Sequence, residues 1–436
     1  MEVRLLANRL VRLLFTTVLL VMPAFTSYAP RASAAGPSEA AEIINWNKIA
    51  QRTIVTEAKL SPGHSFVYMS YVQAAVYDAV VSIEGGYEPY SLHLGRQPGA
   101  SARAAVAAAA HDVLVHYFPA QKAALDADYA TSLAAIPNPI PKDRGIQVGK
   151  EAAAGIIALR QGDGLEADIG FVMPSPAPGV WQLPPGVAPL TPWISVLRPF
   201  MLQKPDQFRP GPPPSLTSAD WAAGFNEVKK YGGADSVDRT AEQTDVAKFW
   251  TAHPAVQYNT AFELLITDRK LKSMEAARLY AMGNLVATDA VIACWDAKYN
   301  YLFWRPQFSV PGAEADGNPN TAADPNWKPL VATPPHPEYP GAHGCVTSAV
   351  AEMFGTFLGT NQINVDITST APGVVKTTRH FDTVDDLKAE VVNARTWGGI
   401  HYRGSSLKGG VLGKKIADWT LSRYFLPEQC KGSTKG

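Results

Sequence analysis

The chain has 436 residues, 46% hydrophobic and 18% charged, with Lys+Arg and Asp+Glu equal at 39 each. A balanced chain has no global field to draw in nucleic acid or a membrane surface, so any functional positive charge must be local. The length allows two or three domains or one large helical one.

Arg4, Arg9 and Arg12 precede an apolar run from Leu13 to Phe25, and Ala32-Ser33-Ala34 follows it. This is the n-region, h-region and A-x-A order of a secretory signal peptide over residues 1–34. The chain is therefore expected to be exported, to a periplasm or the extracellular space. The run is short and broken by Pro23, which argues against a membrane anchor. No later segment is an apolar run of about 18 residues or more, so the mature protein is expected to be soluble, with no integral membrane segment. Cys294, Cys345 and Cys430 are an odd set with no metal-ligand spacing, and read as one optional disulfide or as buried thiols.

Helical periodicity then runs through most of the chain. Helices are expected at Glu39–Leu60, at Phe66 to about Val81 with Asp78 inside the pattern, and at Ser101–Tyr117, whose alanines permit close packing. Gly86–Gly99 reads as loop. Further helices are expected from about Ala120 to Ala135, stopped by Pro137 and Pro139, and from Lys142 to Arg160. His111 and His116, five apart, read as packing or surface histidines.

Residues 173–217 are proline-rich and cannot be helical, because each ring removes a donor and restricts its neighbour. They carry Trp181, Trp193, Phe200 and Phe208, too many aromatics for a disordered linker. The expectation is an ordered excursion over the mouth of a site. It separates an N-terminal helical part, 35–172, from a C-terminal bundle, 218–436.

That bundle is expected to hold helices at Ser218–Lys230, Thr240–Trp250 (opened by a capping box at Thr240 and Gln243), Asn259–Leu271 and Ser273 to about Phe303. After a loop from Pro311 to Pro340 come helices at Gly344–Leu358, Val384–Thr396 and Ser406–Tyr424, with a short ribbon at Ile363–Thr370. The fold class is all-α, a multi-helix bundle.

Three pieces between Lys298 and His401 carry chemistry. Lys298 and Arg305 lie seven apart on an apparent helix, on nearly one face and roughly 10 Å apart along the axis, with Pro306 next. His343 opens a helix after Pro340-Gly341-Ala342, where first-turn amides and the helix dipole favour an anion. Arg395 precedes His401 by six residues across Gly398-Gly399, and arginine can hold an oxyanion bidentately. Three cations and two or three histidines, with almost no acidic residue, describe a site for a tetrahedral or trigonal-bipyramidal oxyanion.

The order Lys-x6-Arg-Pro, Pro-small-small-His, Arg-x5-His resembles the superfamily of vanadium-dependent haloperoxidases and type 2 phosphatidic-acid-phosphatase-like acid phosphatases, in particular its exported bacterial haloperoxidase-like branch. The motifs span about a quarter of the chain, and further similarity runs upstream through Asp206–Pro210, Arg239–Gln243 and Phe249-Trp250. The resemblance implies that Lys298, Arg305 and Arg395, with the Gly341 and Ala342 amides, hold the oxygens of vanadate or phosphate. It implies that His401 is the vanadium ligand, or the nucleophile that forms a phosphohistidine, and that His343 is the general acid–base. Lys298 would polarise bound peroxide. Substrates would be hydrogen peroxide and halide, or a phosphate ester.

His336 resembles a position where bromoperoxidase-type members carry histidine, which favours bromide or iodide; a loop histidine in a proline-rich turn is its other reading. Three departures stand out. The usual Ser-Gly before the histidine is Gly341-Ala342, the serine often preceding the arginine is Ala394, and the carboxylate often four residues after the second histidine is Ser405. His401 is thus expected to lack its usual orienting partner. An exported acid phosphatase and a non-catalytic phosphate-binding scaffold are the alternatives to a haloperoxidase.

Overall fold

The computed structural model describes residues 39–428; the signal-peptide assignment at 1–34 and Cys430 lie outside them. All described residues fall in one compact unit. Among them are thirteen α-helices and one two-stranded sheet, in accord with the all-α expectation.

The first group is α1 (Glu39–Gln51), continued by a π-helical stretch Arg52–Glu57, then α2 (Pro62–Glu84), α3 (Ala102–Tyr117), α4 (Lys122–Ala134) and α5 (Pro139–Arg160). After the proline-rich segment come α6 (Ala219–Gly232), α7 (Ala241–Phe249), α8 (Pro254–Arg269), α9 (Ser273–Tyr301) and the short α10 (Pro306–Ser309). The chain ends with α11 (Ala342–Leu358), β1 (Gln362–Thr368), β2 (Thr378–Thr383), α12 (Val384–Trp397) and α13 (Arg403–Leu421).

Prolines open three helices earlier than periodicity suggested. α2 starts at Pro62, α5 at Pro139 and α8 at Pro254, because a first-turn amide has no intrahelical partner to lose. The ribbon expected near 363–370 is β1, which pairs antiparallel with β2, a strand not foreseen; Val365 faces Phe381 and Ile367 faces Arg379.

The core sits around α2 and α9. α2 is long and apolar enough to cross a membrane, yet its whole apolar window is buried in the protein. α9 is buried from Ser273 to Lys298 on nearly every turn. Small residues bring neighbouring helices together: a Cβ at Gly149 would lie 2.3 Å from the Ala105 carbonyl on α3, and one at Gly413 would lie 2.1 Å from the Cys345 carbonyl on α11.

Buried aspartates pin the loops. Asp78 accepts from the amides of Tyr90, Ser91 and Leu92, and Asp289 from those of Phe200, Met201 and Leu202. Asp78 inside the apolar α2 pattern is thus a loop anchor. The proline-rich segment is ordered, with Trp181, Trp193 and Phe200 buried. At Leu190 it is tied to the site: the Leu190 amide donates to the Pro335 carbonyl, and its carbonyl accepts from Tyr299 Oη.

Candidate active site

The three sequence pieces meet at one buried place, though not by the helical geometry expected for them. α9 ends at Tyr301 because Leu302 is left-handed (φ 47°), so Lys298 and Arg305 do not share a helix. Arg305 instead leaves an extended link as the N-cap of α10. Arg395 and His401 are likewise parted, since α12 stops at Trp397 and Gly399 (φ 76°) turns the chain. His343 is the second residue of α11, whose N-cap Gly341 offers no side-chain cap.

A cavity of about 200 Å³ opens here, with His336, His343, Arg395 and His401 among its walls. Phe66, Leu190, Val291, Trp295 and Val346 make the rest of it apolar. Lys298 and Arg305 stand behind this surface. Lys298 Nζ donates to the carbonyls of Pro337, Glu338 and Pro340, so all three of its protons clamp the loop that carries His336 and Gly341. The Gly341 amide is also engaged, donating to the Ser405 carbonyl at 2.9 Å.

Arg305 holds two histidines. Its Nε donates to the His336 carbonyl and Nη1 to the Ile400 carbonyl. Nη1 also lies 3.1 Å from His401 Nε2, and Nη2 lies 3.0 Å from His336 Nδ1. A guanidinium only donates, so both ring nitrogens accept and are unprotonated. The proton of His401 is then on Nδ1, which donates to Glu338 Oε1 at 2.8 Å.

Glu338 was not singled out in the sequence. It is fully buried and also accepts from the Tyr402 amide and from Ser405 Oγ. His401 therefore has an orienting carboxylate, supplied by the loop before α11 and not by the position four residues on. Ser405, standing where that carboxylate was expected, donates to its replacement. The only sequence signal was an acidic residue among prolines, two after His336.

Trp250, named from the sequence only as a helix end and within the upstream similarity and given no role there, is a second site residue. Its carbonyl, at the C-terminal end of α7, accepts from Arg395 Nη1 at 2.7 Å and lies beside the His343 ring. Arg395 Nε and His343 Nε2 are left buried without partners. Cys294 and Cys345 are free and buried, and among the described residues no cluster of histidine, cysteine and carboxylate could hold a metal cation. His111 is held between Asp112 and Asp126, and His116 is exposed.

Three buried cations face a single carboxylate, an excess of two positive charges. Burial holds Lys298 down to about 8, Arg305 to about 10 and Arg395 to about 9, with Arg305 adding to the depression of the other two. Burial and these cations also hold His336, His343 and His401 well below the ordinary histidine range, so all three rings are neutral. Burial pushes Glu338 up to about 7 against the pull of Arg305 and Lys298. Its two oxygens accept three donated protons, the geometry of a carboxylate. An anion entering this cavity would supply charge that the protein itself lacks.

The model of a VCPO second helical-bundle domain matches residues 278–426, which include all three motif pieces. Vanadium chloroperoxidase of Curvularia inaequalis is 26% identical over 265 residues, 45% of this chain and 43% of that protein, so the alignment spans less than half of that relative. Among solved structures, a bacterial vanadium-dependent iodoperoxidase aligns with a TM-score of 0.74 at 20% identity, over 91% of this chain and 99% of that one. The holo form of a bacterial vanadium-dependent chloroperoxidase aligns with a TM-score of 0.67 at 17% identity, over 83% of this chain and 92% of that one. The two comparisons agree: residues 278–426 match the second helical bundle of a vanadium chloroperoxidase, and the chain as a whole shares the fold of the vanadium-dependent haloperoxidases.

Proposed function

We propose that this protein is a vanadate-dependent haloperoxidase that oxidises halide with hydrogen peroxide to hypohalous acid. The observation that carries the reading is His401: a neutral imidazole, its Nδ1 proton fixed on Glu338, presenting Nε2 to a cavity with two uncompensated positive charges. A carboxylate that accepts the other N–H of a ligating ring sets its tautomer and raises its basicity.

The residues fit an oxyanion such as vanadate. Arg395 Nε and His343 Nε2 are buried polar atoms without partners, and the charge excess calls for an anion. His401 Nε2 would be the ligand, with Arg305, Arg395 and the first-turn amides of α11 toward the oxygens. Bound vanadate supplies an electron-poor centre that activates peroxide. His343 Nε2, kept unprotonated by burial and by Arg395, is the group to take a proton from peroxide entering the cavity. Lys298 acts through the 337–340 loop, which it fixes. His336 lines the cavity beside Trp295, and its resemblance to the histidine of bromoperoxidase-type members is what favours bromide or iodide as the halide. Export, expected from residues 1–34, belongs to the same reading.

The test uses the mature chain with orthovanadate, peroxide and bromide, following halogenation of a phenol dye. Vanadate-dependent halogenation, lost in His401→Ala, is expected. Hydrolysis of phosphate esters that vanadate inhibits, with no halogenation, would replace the reading by an acid phosphatase. Neither activity would leave a phosphate-binding scaffold.

A further inference from the structure

The first turn of α11 is the anion-facing part of the site, yet its N-cap, Gly341, has no side chain and its amide is already engaged with the Ser405 carbonyl. Next to it stands Ser406 on α13. Its side chain is fully buried, and its Oγ has no hydrogen-bond partner. Ser405, its neighbour, is by contrast engaged with Glu338.

An orphan hydroxyl inside a helix normally returns its proton to the carbonyl one turn back. The Tyr402 carbonyl is there and accepts from the Ser406 amide, but the hydroxyl does not bond it. Buried polar groups without partners are uncommon, and each asks for a cause. The hydroxyl's position suggests one. A Cβ built on Gly341 would lie 3.0 Å from Ser406 Oγ and 2.9 Å from its Cα. The Ser406 hydroxyl thus fills the space that a side chain at 341 would use, and the missing Cβ is what admits it to the start of α11.

Arg395 Nε and His343 Nε2 are orphaned too, on residues that line the cavity, and His343 stands two residues after Gly341 in the first turn of α11. Three unpartnered polar atoms, from α11, α12 and α13, are then accounted for by one bound group that both accepts and donates.

We propose that Ser406 is an oxyanion-binding residue whose hydroxyl donates, past Gly341, to an oxygen of the anion held by His401 and Arg395. The inference rests on the reading that this cavity binds a vanadate- or phosphate-like anion. It makes the glycine at 341 and the serine at 406 a matched pair, with the hydroxyl delivered from α13 instead of from the N-cap.

The test is calorimetric titration of inorganic phosphate and of orthovanadate into wild type, Ser406→Ala and Ser348→Ala, with melting curves in the absence of anion. Ser348 is the control, a buried unpartnered hydroxyl on α11 that is not among the atoms nearest the Gly341 position. Ser406→Ala is expected to weaken both anions by roughly 10-fold or more, the scale of a hydrogen bond to a charged group. Its anion-free melting temperature should be unchanged or higher, since an unsatisfied hydroxyl is removed. Ser348→Ala should bind as wild type. Ser406→Cys, nearly isosteric with a weak donor, should repeat the affinity loss and serves if the alanine variant does not fold.

Affinity in Ser406→Ala equal to wild type, with or without a lower melting temperature, overturns the assignment and leaves the proposed function standing. Failure of wild type to bind either anion overturns both.

Discussion

Replacing Glu338 by glutamine isolates the charge that orients His401. Glutamine is nearly isosteric: its carbonyl oxygen can keep the His401 Nδ1 and Tyr402 amide bonds, and its NH2 can donate to Ser405 Oγ once that hydroxyl turns. Burial raises the carboxyl from an ordinary 4.5 to about 7, which corresponds to roughly 3 kcal/mol against its ionised form in the fold. For a raised carboxyl that cost is absent below 4.5 and is complete as pH passes 7. At pH 8 the anion-free variant is therefore expected to be as stable as wild type, or more stable by at most roughly 3 kcal/mol. The site's positive excess grows from two to three, so phosphate affinity should hold or rise. His401 loses basicity, and vanadate-dependent turnover should fall about 10- to 100-fold. Chemical denaturation, phosphate calorimetry and the dye assay read the three quantities separately. Wild-type turnover in this variant would refute the role given to Glu338. Phosphate affinity collapsing together with turnover would show that Glu338 only maintains the shape of the cavity.

Anion affinity should depend on pH through Lys298, which burial holds at about 8: its charge is lost above that value, so phosphate affinity should fall as pH rises from 8 to 10 in calorimetry. Because depressed cations cost stability once protonated, the anion-free melting temperature should fall as pH drops from 10 through 8, and saturating phosphate should abolish that fall. Asp289→Ala strips three buried amides of their acceptor and should cost about 3 kcal/mol or more by chemical denaturation. Gly413→Ala puts a Cβ 2.1 Å from the Cys345 carbonyl and should part α11 from α13, lowering stability by about 3 kcal/mol.

Periodicity and proline placement made most helices readable, because a helix that buries one face must repeat its apolar residues along that face. The three motif pieces were readable as a site because small residues and cations sit where few other functions need them. What was hidden was nonlocal. The spacing of Lys298 and Arg305 implied one helix face, but Leu302 turns left-handed between them and sends one cation to a loop and the other to two histidines. Looking for a carboxylate four residues beyond His401 was a search along one helix. The partner arrives instead from 63 residues upstream, through a loop whose path only the packed structure reveals. Likewise, nothing local marks the Trp250 carbonyl as the partner of Arg395.

The cations also divide their tasks, and the division constrains how an anion can enter. Lys298 is saturated by carbonyls and gives field without contact. Arg395 has an unpartnered Nε and can bind without giving anything up. Arg305 is different: its Nη1 rests against His401 Nε2, the atom that a vanadium or phosphorus centre would take. A group held by His401 Nε2 would displace that contact and leave the Arg305 N–H free for one of its oxygens. A neutral ring is exchanged for an anion as the arginine's partner, and charge-assisted bonds are about twice as strong as neutral ones. The contact therefore keeps the His401 lone pair occupied and Arg305 in place without opposing the anion that replaces it.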